Sequence, residues 1–418
     1  MRGIKKEIFR HESMNIGIVT TWFPRGAAYV SKAYLETFAA KHNVFVYARG
    51  GERFGQGDPE WDRNYVTWGK RTIGKDGTYI DWEEFQEWVL KNRLDLILFN
   101  EQNNWEIILK VAKLPVLIGS YIDYYTAQTV PFFRMYDFLF CNTRRHYQVF
   151  QNHPQAFYIP WGTNVDVFKP PERTEPKQTT VTFLHAAGMS PVRKGTDLLV
   201  KAFLQVRGNA RLVIRIQTPA AFKKCSFIPS LIAKDLRIEL VQEETKYPVL
   251  LYRAGDVYVY PSRLDGLGLQ VAEALACGLP VIATDAEPMT DFVTHDRNGK
   301  LVTVETTEER PNDYYWPRSI CSVDSLRETM QFFVDNPGQI KEFQARARSS
   351  AEQKFDWKKN SRDLPELVTK LTRSGARTDA DLVDAVAEYE NARYRNPGFL
   401  KRAEAALRRF RKKIIRRE

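Results

Sequence analysis

Two carboxylates separated by seven residues, Asp265 and Glu273, flank a glycine-bearing loop in SRLDGLGLQVAEALACGLPVIAT (Ser262–Thr284). An ionised carboxylate only accepts hydrogen bonds, which suits it to sugar or ribose hydroxyls. Gly266 and Gly268 let the backbone approach a ligand with no Cβ in the way. The pattern then predicts a helix through Val271–Cys277, ended by Gly278, and an apolar strand at Pro280–Ala283. Loop, helix N-terminus and strand in that order can turn unpaired N–H groups and the positive end of the helix dipole towards an anion. The spacing therefore fits a clamp for a nucleotide sugar. It fits equally an ordinary turn followed by a first-turn acid that the helix dipole alone favours.

The elements that must position these residues form two alternating series. In the first half, short apolar runs alternate with amphipathic helical patterns, as in parallel βαβ units. Strands are predicted at Asn15–Thr20, Val44–Ala48, Leu94–Asn100, Val116–Ser120, Phe138–Asn142 and Ala156–Ile159, with a helix at Val30–Lys41. The turn Thr21–Ala28 follows the first strand, where an open α/β sheet places a ligand-facing loop. From Pro160 a stretch rich in Pro, Gly and charge reads as a linker. The second series has strands at Thr180–His185, Leu212–Ile216, Ile238–Leu240 and Val257–Tyr260, and helices at Thr196–Val206 and Tyr247–Ala254. Helical patterns at Val323–Asp335, Gly338–Lys354 and Trp357–Leu371 follow. The expected fold is α/β, with two Rossmann-like parallel-sheet domains. The divisions are an extension at 1–13, a first domain at 14–165, a linker at 166–179, a second domain at 180–350, crossover helices at 351–373 and a basic amphipathic tail at 374–418.

Composition is consistent with this. A chain of 418 residues with 43% hydrophobic content can bury two sizeable cores. Its 13% aromatic content and 21 prolines exclude a disordered or coiled-coil chain. The four cysteines are far apart, with neither metal-site nor disulfide-framework spacing, which fits a reducing cytoplasm. No apolar run reaches the roughly 18–20 residues that span a bilayer, and no signal-peptide segment follows the basic N-terminal residues. The expected location is cytoplasmic, with peripheral attachment to a membrane as an option.

Three motifs carry a family resemblance: AGDVYVYPSRLDGLGLQVAEALACGLPVIAT with DRNGKLV after it, AAGMSPVRKGTDLLVKAF (Ala186–Phe203), and IPWGTNVDVFKP (Ile159–Pro170). In this order the chain resembles the GT-B nucleotide-sugar glycosyltransferases, and among them the retaining glycosyltransferase family 4, over about Met14–Leu371. The resemblance implies a nucleotide-sugar donor held on the second domain, an acceptor on the first, chemistry in the cleft between them, and no metal or other cofactor. It places Lys194 on the donor diphosphate, with Gly188 in the glycine turn before it. A point charge beside helix amides is sound chemistry for that role. The family's arginine position is Met189 here, and the adjacent Arg193 could substitute. Asp265 stands where the family has glutamate and would contact the donor sugar, surrounded by the amides of Gly266, Leu267, Gly268 and Leu269. Glu273 would bind the ribose. Gly26 matches the family's close-approach glycine. Asp123 falls beside Ile122, which replaces a histidine, and is either the acceptor-side base or a loop cap. Glu101 is a further acid near the end of a strand, and His185 reads as a structural histidine.

The resemblance leaves UDP- and GDP-sugars undistinguished, and the acceptor depends on the tail. Residues 398–418 hold +7 of the chain's +11 net charge, with Phe399, Ala403, Leu407, Phe410 and Ile414 at helical spacing. Such a helix suits an anionic membrane surface, which favours a glycolipid or a lipid-linked, cell-envelope glycan acceptor. It also suits DNA, which favours transfer to a hydroxylated modified base, or it can pack on the protein itself. A non-catalytic GT-B scaffold that binds sugar nucleotides is the alternative of another class.

Overall fold

The computed structural model describes residues 13–395 other than 52–54, 72–77, 172–179, 218–224, 226, 243–247 and 310–313. The basic stretch 398–418 lies outside the described residues. The chain divides into two compact units.

The first unit comprises residues 13–141, 146–158 and 361–395. Its strands are β1 (Asn15–Thr20), β2 (Asn43–Ala48), β3 (Val66–Trp68), β4 (Leu96–Asn100), β5 (Leu117–Ile122), β6 (Phe138–Cys141) and β7 (Ala156–Tyr158). They form one parallel sheet in the order β3-β2-β1-β4-β5-β6-β7. Helices over both faces explain why the central strands are near-continuous apolar runs: every residue of β4 is buried. The order reverses between β1 and β4, and a neutral polar network fills that point. Asn100 Nδ2 donates to Thr20 Oγ1 at 2.8 Å, Ala27 O at 2.9 Å and Ser31 Oγ at 2.8 Å.

The expected start of the tail at 374 is corrected here. Arg377 pairs with Asp137 at 3.0 Å, and both side chains are buried. The helix Ala380–Arg395 buries Leu382 and Val386, and its Glu390 accepts the amide of Trp105 at 2.8 Å. Residues 374–395 therefore belong to the folded body.

The second unit comprises residues 142–145 and the described part of 159–360. Strands β8 (Val181–Gly188), β9 (Ala210–Ile216), β10 (Ile238–Gln242), β11 (Val257–Tyr260), β12 (Val281–Thr284) and β13 (Gly299–Val302) form a second parallel sheet, ordered β10-β9-β8-β11-β12-β13. An antiparallel pair, β14 (Val304–Glu308) and β15 (Arg318–Cys321), follows. The stretch read as a linker begins as packed structure. Trp161 lies 4.7 Å from Trp357, and Arg348 donates to the carbonyls of Val165 and Phe168 at 3.0 and 2.8 Å. Apart from residues 142–145, the second unit thus runs from Ile159 to Asn360, beyond the expected 180–350.

Candidate functional site

The order of the second sheet reverses between β8 and β11, where an open α/β sheet places its ligand. The loops that follow these strands are laced together. The Arg263 amide donates to Arg193 O at 2.9 Å, and Arg193 Nη1 donates to Leu264 O at 2.8 Å. Arg263 forks onto both oxygens of Asp197 at 2.7 and 2.8 Å, the planar bidentate geometry that makes such pairs rigid.

Two glycines set the approach. Gly195 precedes the helix Thr196–Phe203 and Gly268 precedes Leu269–Ala276, with φ of 73° and 75°. That left-handed region strains any residue with a Cβ. At Gly195 a Cβ would also sit 1.9 Å from the carbonyl oxygen of Pro261. Gly188, with φ of 57°, turns the chain out of β8 into open space.

This lacing brings Lys194 and Asp265 together. Lys194 Nζ donates to Asp265 Oδ2 at 2.6 Å and to the Tyr260 hydroxyl, and lies 4.5 Å from the Tyr260 ring centroid. Tyr260 donates to the same Oδ2 at 2.5 Å, and Arg193 reaches it at 3.4 Å. The other oxygen, Oδ1, accepts the Gly268 amide at 2.9 Å. Burial pushes against the charge of Asp265, but Lys194 and Arg193 outweigh it and hold the carboxyl well below its usual range. One carboxylate is thus shared by two cations at the start of the two helices. Asp265 thus serves its own loop, where the sequence reading expects it to meet a sugar.

Glu273 stands one turn into its helix, where Oε2 accepts the Tyr252 hydroxyl at 2.5 Å. Burial raises its carboxyl to about 7, against the pull of Tyr252 and of Lys194. Lys194 and Glu273 lie close enough for their charges to interact. A ladder of tyrosines joins the two acids: Tyr252 is 5.5 Å from Tyr258, and Tyr258 is stacked 6.0 Å from Tyr260.

Gly188, Arg193, Lys194, Asp265, Gly266, Leu267, Gly268, Leu269 and Glu273 all belong to this unit, whereas Gly26 and Asp123 belong to the first. Gly26 opens the helix Gly26–Phe38, and Asp123 is half-buried just after β5. Near it, Glu101 has a φ of 45° and pairs with Arg25 at 3.5 Å. His185 is structural. Its Nδ1 donates to Val259 O and its Nε2 accepts from Thr196 Oγ1, both at 2.8 Å, and burial pushes its pKa down to about 4. Tyr252, Tyr260 and Arg145 escape the sequence reading. The alternation VYVY puts Tyr258 and Tyr260 on one face of β11 and is the available signal for Tyr260.

Residues 180–310 match the profile of the family described as Glycosyl transferases group 1. Two solved structures share the fold over most of the chain. The glycosyltransferase from Rickettsia africae ESF-5 has a TM-score of 0.68 at 16% identity, covering 85% of this chain and 98% of that one. Anabaena Alr3699/HepE, solved in complex with UDP and glucose, has 0.67 at 16%, covering 86% and 100%. The chain has the GT-B fold and resembles the group 1 glycosyltransferases.

The sequence relatives match a shorter stretch of this GT-B chain. The lipopolysaccharide core biosynthesis mannosyltransferase LpsB of Rhizobium meliloti is 35% identical over 148 residues, 32% of this chain and 41% of its own length. A D-inositol 3-phosphate glycosyltransferase of Xylanimonas cellulosilytica is 30% identical over 160 residues, 34% of this chain and 38% of its own. The chain therefore spans about two fifths of the length of these curated relatives. Among the described residues of this GT-B protein, no group of three or more His, Cys, Asp or Glu could hold a metal ion, and no helix is long and apolar enough to cross a membrane.

Proposed function

We propose that the protein is a glycosyltransferase that moves a sugar from a nucleoside-diphosphate donor to a hydroxyl of a glycan or glycolipid, with retention at the anomeric carbon. The observation that carries this reading is the single carboxylate of Asp265 shared by Lys194 and Arg193 beside two glycine-started helices. A diphosphate would bring negative charge to both of these cations. Glu273, one turn along, would receive the ribose hydroxyls, and Asp265 with the amides of Gly266–Leu269 would face the sugar.

In the transfer, the bond from the anomeric carbon to the phosphate oxygen breaks and a bond to the acceptor oxygen forms. Negative charge grows on the departing diphosphate, and Lys194 stabilises it from a fixed position. Preorganised electrostatics of this kind commonly supply the largest catalytic term. The proton of the acceptor hydroxyl leaves to an oxygen of the departing diphosphate. The glycolipid-type acceptor is supported by what some relatives are called. One is a GDP-mannose-dependent monoacylated alpha-(1-6)-phosphatidylinositol monomannoside mannosyltransferase of Corynebacterium glutamicum, 26% identical over 51% of this chain and 56% of its own length.

A panel of UDP-, GDP- and ADP-sugars, screened by thermal shift and then by donor hydrolysis, tests the reading. At least one donor should stabilise the protein and be turned over, with loss of both in Lys194→Met. Stabilisation by none of the panel would sink it.

A further inference from the structure

Arg145 is 2% exposed, and it is counted with the second unit although the strand just before it, β6, belongs to the first. Its Nη1 donates to Glu287 O at 2.7 Å. Its Nη2 donates to Asp265 O, to Gly266 O at 3.4 Å and to the Tyr314 hydroxyl at 3.2 Å. The rings of Tyr314 and Trp316 lie 5.8 and 5.3 Å from the guanidinium, and its Nε is buried with no acceptor. The partners of this buried charge are thus carbonyls, a phenol and ring faces. The carboxylates of Glu287 and Asp291 lie within electrostatic reach of it, but taking a guanidinium out of water is still costly, so its presence calls for a role that a neutral side chain could not fill.

The partners define that role. Asp265 and Gly266 lie in the loop after β11, and Glu287 lies in the loop after the neighbouring β12. Only a planar fork with several donors can hold carbonyls of both loops at once. Arg145 precedes the family-matched stretch and Tyr314 and Trp316 follow it, so the match does not carry their roles.

We propose that Arg145 is a positioning residue of the donor site. By fastening the carbonyls of Asp265 and Gly266 to that of Glu287, it fixes where the Asp265 carboxylate and the amides of Gly266–Leu269 point. Tyr314 and Trp316 cover it and hold the fork in place. The proposal rests on the donor-site reading above. It assigns Arg145 to the part of the site that meets the sugar, and leaves the diphosphate to Lys194.

Calorimetry of UDP, GDP, UDP-glucose and GDP-mannose against wild type, Arg145→Ala, Arg145→Lys and Tyr314→Phe tests it, alongside amide exchange of residues 263–270. Arg145→Ala should keep nucleoside-diphosphate affinity within about threefold and lose about tenfold or more for the nucleotide sugar. Arg145→Lys should show the same split, because an ammonium cannot fork. Tyr314→Phe should lose about twofold. Exchange at 266–269 should quicken about tenfold in Arg145→Ala, with β8 and β9 unchanged. Equal affinities for sugar and diphosphate forms in wild type and variants, with unaltered exchange, would overturn the proposal. If wild type binds none of the four nucleotides, the donor reading falls, and the exchange comparison still decides the clamp. If Arg145→Ala unfolds throughout, Arg145→Lys carries the same measurements, and wild-type behaviour in it overturns the proposal.

Discussion

The two points at which the sheets reverse order share a plan and differ in content. In the first unit the space between β1 and β4 is filled by Thr20, Ser31 and Asn100, a neutral network in which Asn100 meets three acceptors. In the second unit the space between β8 and β11 holds Lys194, Tyr260 and Asp265, with Arg193 beside them. Both units use an arginine to fasten backbone carbonyls after the second strand of the switch. Arg49 takes those of Asn100 and Glu101 at 2.8 and 3.0 Å, and Arg145 takes those of Asp265 and Gly266. The same architecture thus holds a neutral side-chain network beside one arginine in one place, and two cations on one carboxylate in the other. A neutral network contributes to stability, whereas clustered cations are suited to an anionic ligand.

Substitutions can break this contrast. The largest effect is expected at Gly195, where alanine combines a strained left-handed φ with the clash against Pro261 O. A loss of about 4 kcal/mol or more in denaturant unfolding is expected. Lys194→Met should lower donor turnover by about 10²–10³ and weaken nucleoside-diphosphate binding, both measured with the donor found in the panel. Asn100→Ala should show the reverse profile: about 2 kcal/mol less stable, with nucleotide affinity unchanged. Should Asn100→Ala also abolish nucleotide binding, the division of labour between the two points is wrong.

A further expected effect concerns pH. The Glu273 carboxyl sits at about 7 against an ordinary 4.5, raised by burial. The folded state therefore holds this proton more tightly than the unfolded chain. The contribution is fully present below about pH 4.5 and is lost as pH rises to about 7. Glu273→Gln should remove this slope, changing the stability difference from wild type by about 3 kcal/mol between pH 4.5 and 8. Parallel stability curves for the two proteins over that range would show that Glu273 is not buried as described.

The sheets were legible because parallel strands buried on both faces are apolar runs. Asn15–Thr20 and Val257–Tyr260 have the bounds that the pattern predicts. Strand β3 went unseen because it is three half-buried residues long. The β14–β15 pair went unseen because Val304–Glu308 is mostly exposed and polar. The helix expected at Trp357–Leu371 is broken into short pieces, Trp357–Asn360, Leu364–Leu367 and Val368–Lys370. Pro365 carries no N–H to continue a ladder from Trp357, which is one reason. At the site, the family resemblance pointed to Lys194, and charge and glycine spacing to Asp265 and Glu273. What spacing could not reveal is that the first two bind each other. Arg145 lies 120 residues before Asp265, and only the folded chain joins them.

Asp265 has a consequence for which solutes can occupy the site. Lys194 has a fixed counterion 2.6 Å away. A chloride or acetate would have to displace a tethered group of equal charge, and it lacks the advantage of being held in place. A solute with two or more negative oxygens can bind the lysine from another side while the aspartate stays. A tethered counterion of this kind favours a multivalent anion over a monovalent one.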